Sequence, residues 1–154
     1  REEVVVVLDA IEMTRQEAES LLRLGVVGRI ALTAADGPHI VPVNYSVVDD
    51  AIVIRTTPYS LLGMTSRGAV LAFEIDQIDH EQHHGWSVVA RGRAEIVNDP
   101  EELRHIEDTW PPRPWASGVK PTVLRIPWDE VSGRKLGRGW EPGSDLPVRR
   151  RLAT

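Results

Sequence analysis

The densest group of potential metal ligands in the chain is Asp76, Asp79, His80, Glu81, His83 and His84, all within nine residues. Each can donate to a divalent cation. Their spacing matches no known ligand signature, and they fall between two expected strands, where polar side chains are the default. His39 and His105 stand alone. There is no cysteine, which excludes thiolate zinc sites, iron–sulfur clusters, disulfides and a Cys nucleophile. No Ser occupies a G-x-S-x-G elbow. No Walker motif or G-x-G-x-x-G loop offers a phosphate cradle.

A different anion device is present. Arg55-Thr56-Thr57-Pro58-Tyr59-Ser60 sets a guanidinium and three aliphatic hydroxyls where a strand is expected to turn into a short helix. Helix N-terminal amides attract anions, and Arg can grip a phosphate with two parallel hydrogen bonds. The same residues also read as a helix cap beside a surface Arg. Arg91 and Arg93 share a strand face with Ser87, which suits a phosphate or a ring carbonyl and equally an ordinary solvated face. Trp86 and Trp115 can stack on a flat ligand, fill core volume, or sit in a subunit contact.

The elements that must position these residues follow from pattern. Thr14-Arg-Gln-Glu17 is a capping box, and Ala18, Leu21 and Leu22 follow at helical spacing, so a helix is expected from Arg15 to about Arg23, with Gly25 as its stop. The period then becomes that of strands: Gly28–Thr33, Pro38–Val48 after the turn Ala35-Asp36-Gly37, and Ala51–Thr57. A short helix capped by Ser60 runs to Thr65. Strands Val70–Ile78 and Gly85–Val97 come next. The second puts Trp86, Val88, Ala90, Gly92, Ala94 and Ile96 on one face and Ser87, Val89, Arg91, Arg93 and Glu95 on the other. Asn98-Asp99-Pro100 starts a helix to about Asp108. Strands Thr122–Ile126 and Glu130–Leu136 close the series. Six or seven strands joined mostly by hairpins imply a mainly β, antiparallel sheet that hides its edges by closing into a barrel. One domain over residues 1–136 is expected, with a flexible tail over 137–154, rich in Gly, Pro and Arg.

Composition bounds the partners. The 154 residues carry 18 Lys and Arg against 23 Asp and Glu, a net charge of −5, which argues against nucleic acid. No apolar run approaches the roughly 20 residues that span a bilayer. Val4–Leu8 lacks the basic flank of a secretion signal. A cytoplasmic protein is the expectation.

Taken in order, seven short segments resemble the actinobacterial branch of the pyridoxamine 5′-phosphate oxidase-like family. They are V-G-R-I-A-L (Val27–Leu32), D-G-P-H-I-V-P-V-N-Y (Asp36–Tyr45), I-V-I-R-T-T-P (Ile52–Pro58), V-L-A-F-E-I-D (Val70–Asp76), G-W-S-V-V-A-R-G-R-A (Gly85–Ala94), P-W-A-S-G (Pro114–Gly118) and V-S-G-R-K-L (Val131–Leu136). The resemblance implies an FMN-binding split-barrel homodimer with two cofactor sites at the subunit interface. It implies that Val43, Asn44 and Tyr45 run along the ring, that Arg55, Thr56, Thr57 and Ser60 face the ribityl chain and phosphate, and that Trp86, Ser87, Val88 and Arg91 complete the site. Many members carry basic residues where this chain has Leu61 and Leu62. A lost charge-assisted hydrogen bond is worth about 1.5–3 kcal/mol, which leaves FMN, a deazaflavin, or no cofactor as alternatives. The C-terminal Trp and Arg pattern of true pyridoxamine phosphate oxidases is absent, so the resemblance does not extend to oxidation of that vitamin. It implies an oxidoreductase acting on a small-molecule substrate, with a non-catalytic flavin binder or a ligand-free structural dimer as the alternatives.

Overall fold

Two long strands expected from the sequence each break partway, and the breaks make the architecture. In the computed structural model, which describes residues 10–137, the stretch expected as Pro38–Val48 divides at Tyr45 into β3 (Gly37–Asn44) and β4 (Ser46–Val48). The stretch expected as Gly85–Val97 divides at Ala94 into β7 (His84–Arg93) and β8 (Glu95–Ile96). In both cases the chain leaves one sheet and enters another. At the first corner the Tyr45 amide donates to the Val26 carbonyl at 3.0 Å, and the Tyr45 hydroxyl to the Leu22 carbonyl at 2.8 Å. At the second the Ala94 amide donates to the Ala69 carbonyl at 2.8 Å. Alternation of apolar residues continues through a corner, so periodicity alone does not reveal it.

The remaining elements are β1 (Ala10–Glu12), α1 (Arg15–Leu22), β2 (Val27–Ala34), β5 (Ala51–Thr56), α2 (Leu61–Thr65), β6 (Val70–Asp79), α3 (Pro100–Thr109), β9 (Thr122–Pro127) and β10 (Glu130–Gly137). Every pairing is antiparallel. One sheet has six strands in the order β1-β10-β7-β6-β2-β3, the other four in the order β4-β5-β9-β8. This is the mainly β, antiparallel split barrel with short helices that the sequence leads one to expect. Strand β1 is an addition, laid against β10 with Ile11 opposite Lys135. The expected tail lies outside the described residues apart from Gly137, which ends β10.

The core fills the space between the sheets. Ile30, Phe73, Val88, Ile52, Leu124 and Ile126 are at most 1% exposed there, and Leu22 of α1 closes one end. Burying each such side chain is worth about 1.5–3 kcal/mol. Strand β5 is apolar on both faces, because Ile52 and Ile54 meet the barrel interior while Val53 joins Ile106 of α3 in a smaller cluster outside it. Helix α1 starts with the full capping box: Thr14 Oγ1 accepts the Glu17 amide at 3.2 Å, and Glu17 Oε2 accepts the Thr14 amide at 2.9 Å. It ends at Leu22, short of Gly25, with Arg23 as its cap.

Candidate functional site

Two of the surface concavities bear on ligand binding. One, of about 440 Å3, lies where the end of α1 meets β6 and β7, and is lined mainly by Leu21, Leu24, Val26, Tyr45, Ile75 and Trp86. Asp76 lines it and no cation does, so it does not suit an anionic ligand. The other is an open groove of about 620 Å3. Its walls are the edge strand β3 (Val41–Asn44), the end of β5 (Arg55, Thr56), the start of α2 (Ser60–Leu62), and the loop after α3 (Pro114, Ala116, Lys120).

Each wall has a local cause. Among the described strands β3 pairs only with β2, so its other edge is unladdered, and Pro38 and Pro42 remove two of the amide donors from that edge. The turn into α2 is fixed by Ser60, whose Oγ accepts the Gly63 amide at 3.0 Å and donates to the Thr57 carbonyl at 2.8 Å. Gly63 is required because a Cβ there would overlap the Thr57 carbonyl oxygen. The loop wall is rich in proline, which narrows its backbone freedom. It is tied to β3 where the Trp115 amide donates to Asn44 Oδ1 at 2.8 Å.

The structure brings together most of the residues expected at a cofactor site: Val43, Asn44, Arg55, Thr56, Ser60, Leu61 and Leu62 all line the groove. Several roles differ from expectation. Ser60 Oγ–H is used on Thr57, so Thr56 Oγ1, 2.7 Å away, gives its own proton to Ser60. Neither hydroxyl has a proton left for an anion, and on this point the helix-cap reading accounts for both. Thr57 offers its carbonyl to the cap and is not part of the lining. Asn44 already holds the loop through Oδ1, and its Nδ2 lies 3.5 Å from the Val26 carbonyl. Arg55 donates to Glu107 of α3 at 3.1 Å, a partner the sequence gave no reason to expect. Leu62 is 3% exposed, and Leu61 packs half-buried against the core.

Three expected residues point elsewhere. Trp86 and Val88 face the barrel interior on β7, and the Tyr45 ring is buried against Phe73, their centroids 4.6 Å apart. Trp86 Nε1 is buried with no partner among the described residues. Ser87 and Arg91 occupy the opposite, outer face of β7, where Ser87 sits between Asp76 and Arg134, and Arg91 bonds Glu130 at 3.1 Å. Arg91 shares a row with Ala72, Ala31 and Ile40. Three strand spacings, roughly 14 Å, therefore separate it from β3. Within one chain these two residues do not reach the groove.

Sequence reasoning missed Lys120, the second cation of the lining, because it lies in an irregular loop with no motif around it. No acid or imidazole lines the groove. On the outer face of the large sheet Arg29 bonds both Glu74 and Asp76 at 2.8 Å. Burial pushes the Glu74 carboxyl above the usual range, the neighbouring Asp76 charge adds to this, and Arg29 opposes it. Of the acidic and histidine cluster at 76–84, Asp76 is taken by Arg29, and Asp79 Oδ1 accepts the Glu81 and Gln82 amides, which hold its carboxyl below the usual range. No three such side chains converge on a metal-sized space among the described residues.

The family model described as pyridoxamine 5′-phosphate oxidase matches residues 14–135. An uncharacterised protein of Mycobacterium tuberculosis, Rv0080, is 34% identical over 133 residues, covering 83% of this chain and 86% of that protein. Among solved structures, a conserved protein of unknown function from Corynebacterium diphtheriae superposes with a TM-score of 0.70 at 32% identity, covering 84% of this chain and 99% of the other. An FAD-binding protein from Mycobacterium smegmatis superposes with a TM-score of 0.68 at 26% identity, covering 81% and 97%.

Proposed function

Because the chain belongs to the pyridoxamine 5′-phosphate oxidase family, we propose that it binds a flavin-type cofactor, FMN or a deazaflavin, in the groove between β3, β5, α2 and the 114–120 loop, and acts with it as an oxidoreductase on a small molecule. The observation that carries this reading is the groove itself: it sets an apolar wall and an unladdered strand edge beside two cations. A flavin is a flat ring with polar edges on a chain that ends in phosphate. Val41, Val43 and Leu61 suit the ring face, carbonyls of the β3 edge suit the ring N–H, and Arg55 suits the phosphate. That a relative of 26% identity binds FAD supports a flavin nucleotide of some kind.

The cofactor would supply the hydride or electron transfer, and the protein binding and orientation. A lining without acid or imidazole fits that division, since no side chain is placed to move a proton. Ser87 and Arg91 join the site only if a second copy brings its own outer sheet face to this groove. The exposed apolar side chains around the groove favour that arrangement: Ile40, Trp115 and Val119 are 73%, 74% and 86% exposed, and such side chains near one another mark contact surfaces. A homodimer is the assembly this reading favours. No helix among the described residues is long and apolar enough to cross a membrane.

A second reading, a flavin carrier without turnover, is favoured by the apolar Leu61 and Leu62. One experiment separates the possibilities. The visible spectrum of the purified protein is recorded, followed by titration with FMN, FAD and a deazaflavin. Saturable binding with reduction by a reduced nicotinamide or a reduced deazaflavin supports the oxidoreductase. Binding without turnover supports the carrier, and no binding leaves a structural dimer.

A further inference from the structure

The groove presents its ligand with less positive charge than its shape suggests, and the deficit can be located residue by residue. Leu61 and Leu62 supply none, because one packs on the core and the other is buried in it. The Thr56 and Ser60 hydroxyl protons are used within the turn. Arg55 shares its guanidinium with Glu107. That leaves Lys120 on the facing loop. It lines the groove, is half-buried, and has no carboxylate within ion-pair distance among the described residues. Its position is not left to a slack loop: Pro121 follows it, and the Trp115–Asn44 hydrogen bond pins the preceding turn to β3.

We infer that Lys120 is the principal charge holding the anionic end of the groove's ligand. The inference rests on the flavin reading for the identity of the ligand, but its chemistry is that of a phosphate or pyrophosphate group. A half-buried ammonium with no internal counter-ion meets an incoming anion at full charge, whereas Arg55 must first give up part of its pairing with Glu107.

The test is titration of the full chain with FMN and with riboflavin, which differ only in the phosphate, followed by quenching of flavin fluorescence. Inorganic pyrophosphate is titrated in parallel by calorimetry. Lys120→Ala should raise the FMN dissociation constant by about 10- to 100-fold and leave riboflavin within about twofold. Lys120→Arg should restore most of the FMN affinity. An FMN affinity unchanged in Lys120→Ala overturns the inference. So does a parallel loss of FMN and riboflavin, since that would make Lys120 a support for the loop. Pyrophosphate binding that is lost in Lys120→Ala, from a protein that takes neither of these flavins nor FAD nor a deazaflavin, upholds Lys120 and refutes the flavin reading. A wild-type chain that binds none of the three, nor FAD or a deazaflavin, refutes both.

Discussion

Glu107 should act as a competitor for the groove's ligand, and removing it should tighten binding. Its Oε2 lies 3.1 Å from an Arg55 nitrogen, with the two side chains 60% and 30% exposed. Pairs this open to water are worth about 0–1 kcal/mol, whereas a charge-assisted hydrogen bond from Arg55 to a phosphate is worth about 1.5–3 kcal/mol. Binding trades part of the first for the second. Glu107→Gln should therefore lower the FMN dissociation constant by up to roughly fivefold, the equivalent of 1 kcal/mol. Arg55→Ala should raise it by about tenfold or more on the same arithmetic. The decisive quantity is the coupling. In the Arg55→Ala background Glu107→Gln should change affinity by less than about twofold, because the carboxylate then has no guanidinium to neutralise. Four fluorescence titrations at one ionic strength measure the cycle. If the two substitutions act additively, Arg55 and Glu107 do not share the ligand, and the phosphate end of the site has been put in the wrong place.

Other outcomes follow from the same geometry. Ser60→Ala removes the α2 cap and should cost about 1 kcal/mol of stability, read as a lower denaturant midpoint at unchanged slope; FMN affinity of the folded protein should hold within about threefold, and a larger loss would mean that the hydroxyl serves the ligand after all. Gly92→Ala places a Cβ on the Pro127 carbonyl oxygen, which is backbone and cannot swing away. Overpacking of this kind costs about 3 kcal/mol, or roughly 6–12 °C of Tm, and a shift under about 2 °C would show the sheets to be less tightly joined there. Glu74 has a folded pKa above its unfolded value of about 4.3. Its contribution to stability is thus complete below that pH and is lost as pH rises through the folded value. Glu74→Gln should melt higher than the parent at pH 7, with the difference vanishing near pH 4, while Arg29 keeps Asp76. A variant less stable at pH 7 than at pH 4, relative to the parent, would reverse the sign and the reasoning.

Much of the fold was legible because each element carries its own punctuation. The capping box of α1, Ser60 before α2, and Asp99-Pro100 before α3 fall where side chains must satisfy orphan amides, and all three helices start there. The corners at Tyr45 and Ala94 were not legible, because inward-facing residues keep alternating through a change of sheet. Strand β1 was not legible either: three residues carry too little pattern, and pairing with β10 makes it a strand. In the site, the Arg55–Ser60 segment was visible as a cluster of types. Which of its groups stay available depends on hydrogen bonds to Thr57 and on Glu107, 52 positions away. Trp86 and Ser87 are neighbours in sequence, yet the strand period sends them to opposite faces, so a motif read as one unit serves two environments. Lys120 carried no local signal, since its meaning comes only from the wall it faces.

The corners have a consequence for how the barrel opens. Residues 37–48 and 84–96 each run without interruption from the six-stranded sheet into the four-stranded one. Neither sheet has a boundary where it could peel away while the other stays folded, because detaching one pulls on two chain segments that belong to both. Sub-global opening needs such a boundary. The two layers therefore form one cooperative unit, and a groove strung from the edge of β3 to the end of β5 inherits the stability of that unit rather than the lower stability of the loops that frame it.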